Sequence, residues 1–595
     1  MQASRSRLIR WAIPAPPSNQ IRVLPYRRHV SILQVPVLRR TPKHIRSFCS
    51  SISRRFMLDA DSTIYALSTS PGRAAIAIVR VSGPACVSIY KALCPQKPLP
   101  TPRYATLRTL YDPVHPPSTN TVLDAGALVL YFPAPNTVTG EDVLEFQIHG
   151  GPAIVKAVLA AIARTNTKII DTVVRYAEPG EFTRRAFMND RLGLPQIEAL
   201  GDILNAETEQ QRRLAVRGSS DALLKRYELW RQQLLYARGE LEALIDFSED
   251  QHFDESTEEL VSSVAAQVHE LQSQIGFHIQ NASKGELLRN GIRVALLGAP
   301  NAGKSSLLNR VVGKETAIVS SEEGTTRDIV DVGVDLGGWY CRLGDMAGIR
   351  ADAGSQSVVI GAVEKEGIRR ARARALESDV VIVVLSLEET AHGVRLLVEP
   401  EVLDAVSDCV QAEKCLVVAI NKCDKLPSED RDVLLPLNLA DTVRDVFPAV
   451  TKDRVFAISC DEAERGTLAP SQTDPGNLQS FLRGLIATFE EIASPLGIEG
   501  DGNGQYDNSY WEDSLGVTHR QSSNLQKCLD HLEDFLSQTS MSTSASFSSE
   551  FPQESEIDIV TAAEHLRCAA DILAKITGKG ESGDVEDVLG VVFEK

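Results

Sequence analysis

The amino-acid sequence predicts a multidomain protein made of an α+β module, an α-helical domain, and an α/β phosphate-loop domain set between helices. Three observations predict it. β-prone runs punctuated by Pro-Gly and Gly-Gly turns fill the first part. Apolar residues at alternating three and four spacing fill the middle. Beyond them, residues 298–305 spell a GxxxxGK[ST] loop between a short β-prone run and a helical one. A chain of 595 residues exceeds one core, and 43% apolar content lets several domains bury an interior.

In order along the chain, residues 1–58 hold twelve Lys or Arg and no acid, the first carboxylate being Asp59. That is the composition of a mitochondrial transit peptide, with a basic nucleic-acid-binding arm as the competing reading. Without this segment the body is more acidic than the formal −17 of the whole chain, so contact with RNA must use local basic patches or a partner. Residues 59–190 read as the α+β module, with strands over 74–81, 126–132 and 143–148. Residues 191–290 read as helical. Leu223, Tyr227, Trp230, Leu234, Leu241 and Ile245 form one stripe, and Val261, Val264, Val268, Leu271 and Ile275 another. Residues 291–490 return to α/β character, with strands near 292–297, 340–343, 380–385, 416–420 and 455–458. Residues 491–595 begin with a Gly/Asp/Ser-rich loose insertion at about 496–556, interrupted by one helix near Leu525 to Leu536. They close on a stripe of Ile559, Ala563, Leu566, Ala570 and Leu573. Helices on both sides of the α/β region imply one helical domain interrupted by an inserted one. No run of 18 apolar residues occurs, which excludes a membrane-spanning helix. The ten cysteines show neither a CxxC pair nor zinc-ligand spacing, and read as reduced, small buried hydrophobes.

The loop carries the chemistry. Its glycines let backbone N–H groups turn onto phosphates, with Ala302, Gly303 and Ser306 in the cradle. Lys304 reaches the β and γ oxygens, and the Ser305 hydroxyl suits Mg2+. Downstream, Asn421-Lys422-Cys423-Asp424 ends an apolar run. The Asp424 carboxylate can accept from guanine N1–H and N2–H2, whereas adenine offers an acceptor at N1 and no 2-amino group. Ser459 and Cys460 follow another strand and would back the base with main-chain N–H groups. About twenty residues past the loop, Thr325-Thr326 lies where a switch segment can return to Mg2+, with Thr326 the candidate ligand. Asp345 and Gly348 would serve Mg2+ from outside its inner ligands and the γ-phosphate, respectively. Ile349 stands where Ras-like enzymes carry the glutamine that orients the attacking water, so hydrolysis needs another water-positioning group and another positive charge. Asn301 suggests a cation: with oxygens of Ser320, Glu322 and Thr325 it could ring a K+ against the phosphates. The alternative is an asparagine merely tolerated there.

With these residues in view, the chain resembles the MnmE (TrmE) tRNA-modification GTPases in their mitochondrial form, over residues 59 to about 590. The resemblance rests on the nucleotide elements and on Pro71-Gly72-Arg73, Val79-Arg80-Val81-Ser82-Gly83, Thr139-Gly140-Glu141-Asp142-Val143-Leu144-Glu145, His149-Gly150-Gly151 and Pro179-Gly180-Glu181-Phe182-Thr183-Arg184-Arg185. It implies an N-terminal module that binds 5-formyltetrahydrofolate or a related folate and dimerises, a helical domain, and an inserted Ras-like GTPase activated by K+. It further implies a homodimer, an FAD-dependent partner of the MnmG (GidA) type, and an aminomethyl-derived group placed on C5 of the wobble uridine of mitochondrial tRNAs in the matrix. Carried onto matching positions, Arg80, Glu145 and Arg191 would meet the folate. Arg191 stands where a lysine is usual, which keeps the charge and changes its shape. Arg80 and Glu145 could equally be a structural ion pair. Glu364 matches the glutamate that orients the hydrolytic water, with Glu366 its rival; Lys304 and Asn301 complete the catalytic set. The resemblance also implies a Cys-x-Gly-Lys ending, which Val591-Val592-Phe593-Glu594-Lys595 does not carry; GTP hydrolysis is expected not to depend on it.

Two other function classes share these features. A ribosome-assembly or RNA-binding GTPase switch shares the nucleotide motifs but expects a basic RNA-binding domain. A folate-dependent one-carbon transferase with a regulatory nucleotide domain shares the N-terminal motifs. Arg212, Arg213 and Arg217, assigned to the first long helix, and Arg369, Arg370, Arg372 and Arg374 are basic clusters that could touch RNA or be solvated helix faces.

Overall fold

The computed structural model describes residues 62–165, 173–247, 257–314, 318–321, 332–344, 360–390, 393–426, 435–466, 474–496, 508–544 and 558–579. The first sheet comprises β1 (Thr63–Leu67), β2 (Ile76–Ser82), β3 (Thr106–Tyr111), β4 (Val122–Phe132), β5 (Val143–His149) and β6 (Val174–Tyr176), in the order β3-β4-β5-β2-β1-β6. All its pairs are antiparallel except β1 with β6. Alternation puts Val79, Val81, Leu144, Phe146 and Ile148 on one face, where they pack with Ile89 and Leu93 of α1 (Cys86–Leu93) and Val158 and Ile162 of α2 (Pro152–Thr165). Next come α3 (Glu181–Met188), α4 (Leu194–Asn205) and α5 (Glu209–Gly218).

The two long stripes are α6 (Asp221–Phe247) and α7 (Thr257–Asn290). The predicted apolar faces are core for most of their length: Tyr227, Trp230, Leu234, Val264, Val268 and Ile275 are buried together, whereas Ile245 of the first stripe is exposed and its neighbour Leu244 takes the core place. Their partners come from the far end of the chain.

There the structure bears out the helix expected near Leu525 to Leu536 and corrects the loose reading of 496–556 around it. That stretch contains α14 (Asn508–Ser514) and α15 (His519–Ser544); α15 packs with α16 (Ile559–Thr577) onto α6 and α7. Leu525, Cys528, Leu532 and Phe535 are fully buried in this core. Their three-four-three spacing is a helical stripe, diluted in the sequence by Gly, Asp and Ser on either side.

Between these helices in sequence lies the second sheet. Its strands are β7 (Ile292–Gly298), β8 (Ile318–Ser321), β9 (Val332–Leu336), β10 (Trp339–Leu343), β11 (Val380–Thr390), β12 (Gly393–Leu397), β13 (Cys415–Asn421) and β14 (Val455–Ala457). The order is β14-β13-β11-β7-β10-β9-β8, with β12 beside β11. The run from β14 to β10 is parallel. Its strands are buried on both faces: Ile292 and Val294 join one core, Ala295 and Leu297 the other. The covering helices are α8 (Lys304–Lys314), α9 (Ile360–Glu377), α10 (Pro400–Gln411), α11 (Leu435–Val446), α12 (Cys460–Gly466) and α13 (Leu478–Ala493).

Only Gly291 separates α7 from β7. Its φ is 87°, and a Cβ there would lie 2.5 Å from the Tyr340 ring, so glycine is required. Asn281 of α7 clasps the segment after α13, donating to the Leu496 carbonyl (2.9 Å) and accepting from its N–H (2.7 Å). The sheet is thus joined to the helical core at both of its chain connections.

The basic clusters are largely spent in ion pairs. Arg212, Arg213 and Arg217 lie on the short α5 and not, as the sequence suggested, on the first long helix; the break falls at Gly218-Ser219-Ser220, which the apolar spacing alone does not register. Arg212 and Arg213 both reach Glu209 at 2.8 Å, and Arg217 reaches Glu512 at 2.6 Å. Arg372 pairs with Asp408.

Candidate nucleotide site

In an open parallel sheet, ligands meet the carboxyl ends of the strands. The phosphate loop leaves β7 at Gly298 and enters α8 at Lys304, so its N–H groups and a helix N-terminus face one point. Asn301 and Gly303 adopt left-handed φ values of 63° and 97°. A Cβ on Gly298 would lie 2.3 Å from the Val384 carbonyl oxygen of β11, which excludes any other residue there. The Lys304 ammonium lies over the loop and donates to the carbonyls of Gly298 (2.7 Å) and Ala299 (2.8 Å). Burial lowers its pKa from the usual lysine range, and the Glu399 carboxylate acts in the opposite sense. Ser305 is half-buried in the first turn of α8, Ser306 is exposed, and Ala302 is buried under the loop.

Asn421, which opens the guanine-reading string, forms a strut within the protein. Its side chain is buried at the end of β13, donating from Nδ2 to the Ala302 carbonyl (2.9 Å) and accepting on Oδ1 from the Cys460 N–H (3.2 Å). It therefore bolts the phosphate loop to the segment after β14. A Cβ on Gly303 would fall 2.0 Å from Nδ2, so that position needs glycine for its φ and to leave room for the strut. Gly303→Ala is expected to weaken nucleotide binding about five- to a hundredfold or more, because left-handed strain and displacement of Asn421 together cost about 1–3 kcal/mol. Titration with a fluorescent guanine nucleotide measures it.

Beyond Asn421 the chain turns through Lys422 (φ 64°) and presents Asp424. The Ser459 hydroxyl donates to Asp424 Oδ1 (2.7 Å) and accepts from the Glu462 N–H (3.1 Å). Ser459 thus orients the carboxylate, a role its strand-end position alone did not signal. Cys460 is buried; burial pushes its thiol up to about 11, against the pull of Arg310, so it stays protonated near neutral pH.

Ser320 falls on β8 opposite Gly333, and Glu364 and Glu366 fall on α9. Glu322, Thr325, Thr326, Asp345, Gly348 and Ile349 lie outside the described residues.

In the N-terminal module, Arg80 and Glu145 are register partners on β2 and β5, joined from Nε to Oε1 at 2.9 Å, with the guanidinium 5.8 Å from the centre of the Phe182 ring. They form the ion pair the sequence allowed as an alternative. Arg191 donates from Nε to the Thr137 carbonyl (3.1 Å). Beside them lies an ion network that sequence reading did not find. Buried Arg185 donates to Glu141 (2.9 Å), Glu181 (3.3 Å) and the Ser62 carbonyl (2.7 Å), Arg175 reaches Glu181 at 2.6 Å, and the Ser82 hydroxyl bonds Glu141 at 2.7 Å. The Thr139-Gly140-Glu141-Asp142 and Glu181-to-Arg185 motifs are therefore two halves of one internal clamp.

A glycine-built loop on a helix N-terminus, braced from the neighbouring strand end, defines a phosphate-loop nucleotide-binding protein. Residues 63–191 match the family described as GTP-binding protein TrmE N-terminus, and residues 194–595 match the MnmE helical domain. The mitochondrial tRNA modification GTPase mss1 of Schizosaccharomyces pombe is 36% identical over 90% of this chain and 94% of its own length. The human mitochondrial 5-taurinomethyluridine-[tRNA] synthase subunit GTPB3 is 34% identical over 90% and 92%. MnmE of Parvibaculum lavamentivorans is 45% identical over 54% and 69%. The chain belongs to the TrmE/MnmE family of tRNA modification GTPases. It is a mitochondrial, GTP-hydrolysing enzyme. Among the described residues no helix is long and apolar enough to cross a membrane.

Proposed function

We propose that this enzyme uses a K+-activated GTP cycle to drive C5 modification of the wobble uridine of mitochondrial tRNAs, together with an FAD-dependent partner of the MnmG type. The observation that carries the reading is the junction at Gly291. The phosphate-loop strand continues a 34-residue helix of the helical core, and Asn281 clasps the chain where it leaves the sheet. A change at the γ-phosphate is then felt in the helical core, as a modification cycle gated by hydrolysis requires. The α/β region is, on this reading, an insertion into one helical domain.

Within the site, Lys304 neutralises the β and γ oxygens, and Asp424 selects guanine. The hydroxyl of Ser305 is a hard oxygen donor in the first helical turn and fits Mg2+, with Thr326 as the second protein ligand. Asn301, exposed on a left-handed turn of the loop, can offer its amide oxygen to K+, with Ser320, Glu322 and Thr325 completing the ring. Such a cation supplies the positive charge that an arginine finger gives elsewhere. Glu364 positions the water in place of Ile349. Arg80 and Glu145 are partly exposed and close enough together to hold a folate carboxylate and a pterin amide by sharing their own bond, with Arg191 as a further cation. Residues 1–58 act as the transit peptide, and the N-terminal module pairs two copies.

Mass spectrometry of mitochondrial tRNAs from cells lacking the chain is expected to show unmodified wobble uridine at C5, restored by the wild type and not by a nucleotide-site variant. Intact modification without the chain contradicts the proposal.

A further inference from the structure

Where α15 packs against α16, two histidines and an aspartate converge. His531 and Asp534 are three residues apart on α15 and so share a face; His565 comes from α16. Their ligand atoms all lie within 4.8 Å of one another. His531 Nδ1 is 3.3 Å from His565 Nδ1, and Asp534 Oδ2 is 3.8 Å from His565 Nδ1. Two nitrogens bound at about 2.0–2.1 Å to one tetrahedral ion stand about 3.3 Å apart. The histidine pair already has that spacing, and the aspartate needs only a small side-chain rotation, which its exposure permits.

A second feature points the same way. The side chain of Gln538, one turn beyond Asp534, places its amide nitrogen 3.2 Å from His565 Nε2, while its Oε1 is buried without a hydrogen-bond partner. Exchanging the amide's O and N, which are assigned by hydrogen bonding, lets Oε1 accept from His565 Nε2–H. That gives the amide oxygen a donor, with the amide nitrogen moved to the partnerless position, and leaves the Nδ1 lone pair directed at His531 and Asp534. Metal-ligating histidines are held in this manner, the second ring nitrogen donating to a fixed acceptor.

We propose that His531, Asp534 and His565 bind one divalent transition metal of the borderline class, zinc foremost, stapling α15 to α16. Imidazole-rich sites favour such ions over Mg2+ or Ca2+. The face is partly open, so a water can complete the coordination. The competing arrangement is a plain N–H···N hydrogen bond between the two imidazoles.

The test uses the full chain stripped of metal and then saturated with GDP and Mg2+, so that the nucleotide site holds its own ion. Titration with Zn2+ by calorimetry, and with Co2+ followed by visible absorption, is expected to give one bound ion per chain with a tetrahedral cobalt spectrum. His531→Ala and His565→Ala should each abolish the signal, while helical content and GTP hydrolysis stay at wild-type levels. Gln538→Ala should weaken binding about ten- to a hundredfold. If a histidine variant fails to fold, the exposed Asp534→Asn change keeps the question open to measurement, with weaker zinc binding expected. Absence of stoichiometric binding to the wild type, or unchanged affinity in the variants, overturns the site in favour of the hydrogen-bonded pair.

Discussion

Arg185→Ala is expected to destabilise the N-terminal module by about 3–5 kcal/mol, because Glu141 loses its cation, Glu181 keeps Arg175 alone, and the Ser62 carbonyl loses a donor. The Arg185 side chain is 9% exposed and that of Glu181 is 1% exposed, so water cannot replace the lost guanidinium. Burial by itself would raise the Glu181 carboxyl. The hydrogen bonds from Arg175 and the Glu178 N–H, with the charges of Arg175 and Arg185, outweigh it and hold the group below the ordinary carboxylate range. A carboxyl depressed in the folded state contributes stability at neutral pH and loses it as the pH falls through the folded-state value. Wild-type stability should therefore decline in acid, beginning below the ordinary value of 4.5, and part of that dependence should vanish in the variant. Arg185→Lys keeps the charge but not the fork that reaches Glu141, Glu181 and Ser62 at once, so it should recover little. Thermal unfolding followed by circular dichroism, over a pH series, measures both effects. An unchanged Tm for Arg185→Ala would make the clamp ornamental.

Asp424→Asn should lower GTP affinity by about 3–6 kcal/mol, the worth of two charged hydrogen bonds at about 1.5–3 kcal/mol each. That corresponds to on the order of a hundred- to ten-thousandfold. The asparagine also turns a donor toward the guanine 2-amino group. Xanthine carries a carbonyl at C2, so the same asparagine accepts from N1–H and donates to that oxygen. Xanthosine triphosphate should therefore bind and be hydrolysed by the variant. The Ser459 hydroxyl, which orients Asp424 at 2.7 Å, can donate equally to the asparagine carbonyl, so the geometry survives the change. Loss of GTP without gain of the xanthine nucleotide would mean that Asp424 holds the loop and does not read the base.

How far these features could be read in advance depended on whether they are contiguous. The phosphate loop and Asn421-to-Asp424 are unbroken strings whose chemistry is local, so residue order suffices. The two stripes on α6 and α7 are likewise periodic enough to stand out. Asn421 as a strut was hidden because its partner Ala302 lies 119 residues away, and only the parallel register of β7, β11 and β13 brings them together. The Arg80–Glu145 pair depends in the same way on the antiparallel register of β2 and β5. The clamp around Arg185 joins Ser62 to Glu181 across a sheet edge and a helix start, a contact that no spacing rule encodes. Helix α15 was legible at its centre, where the apolar stripe from Leu525 to Leu536 is regular, but its full length and α14 before it were not, because the Gly, Asp and Ser on either side averaged the signal away. His531 and His565 fall 34 residues apart, on α15 and α16, and become neighbours only when those helices pack.

We propose that Asn301 makes this enzyme a cation-activated GTPase, supplying through K+ the charge that no arginine of the phosphate loop provides. GTP hydrolysis by the wild type and Asn301→Ala, measured side by side in KCl and NaCl at equal ionic strength, tests it most directly. The wild-type rate should rise with K+ and scarcely with Na+, and the variant should show no difference between the two salts. Equal wild-type rates in both salts, or a K+ response that survives in Asn301→Ala, would contradict it.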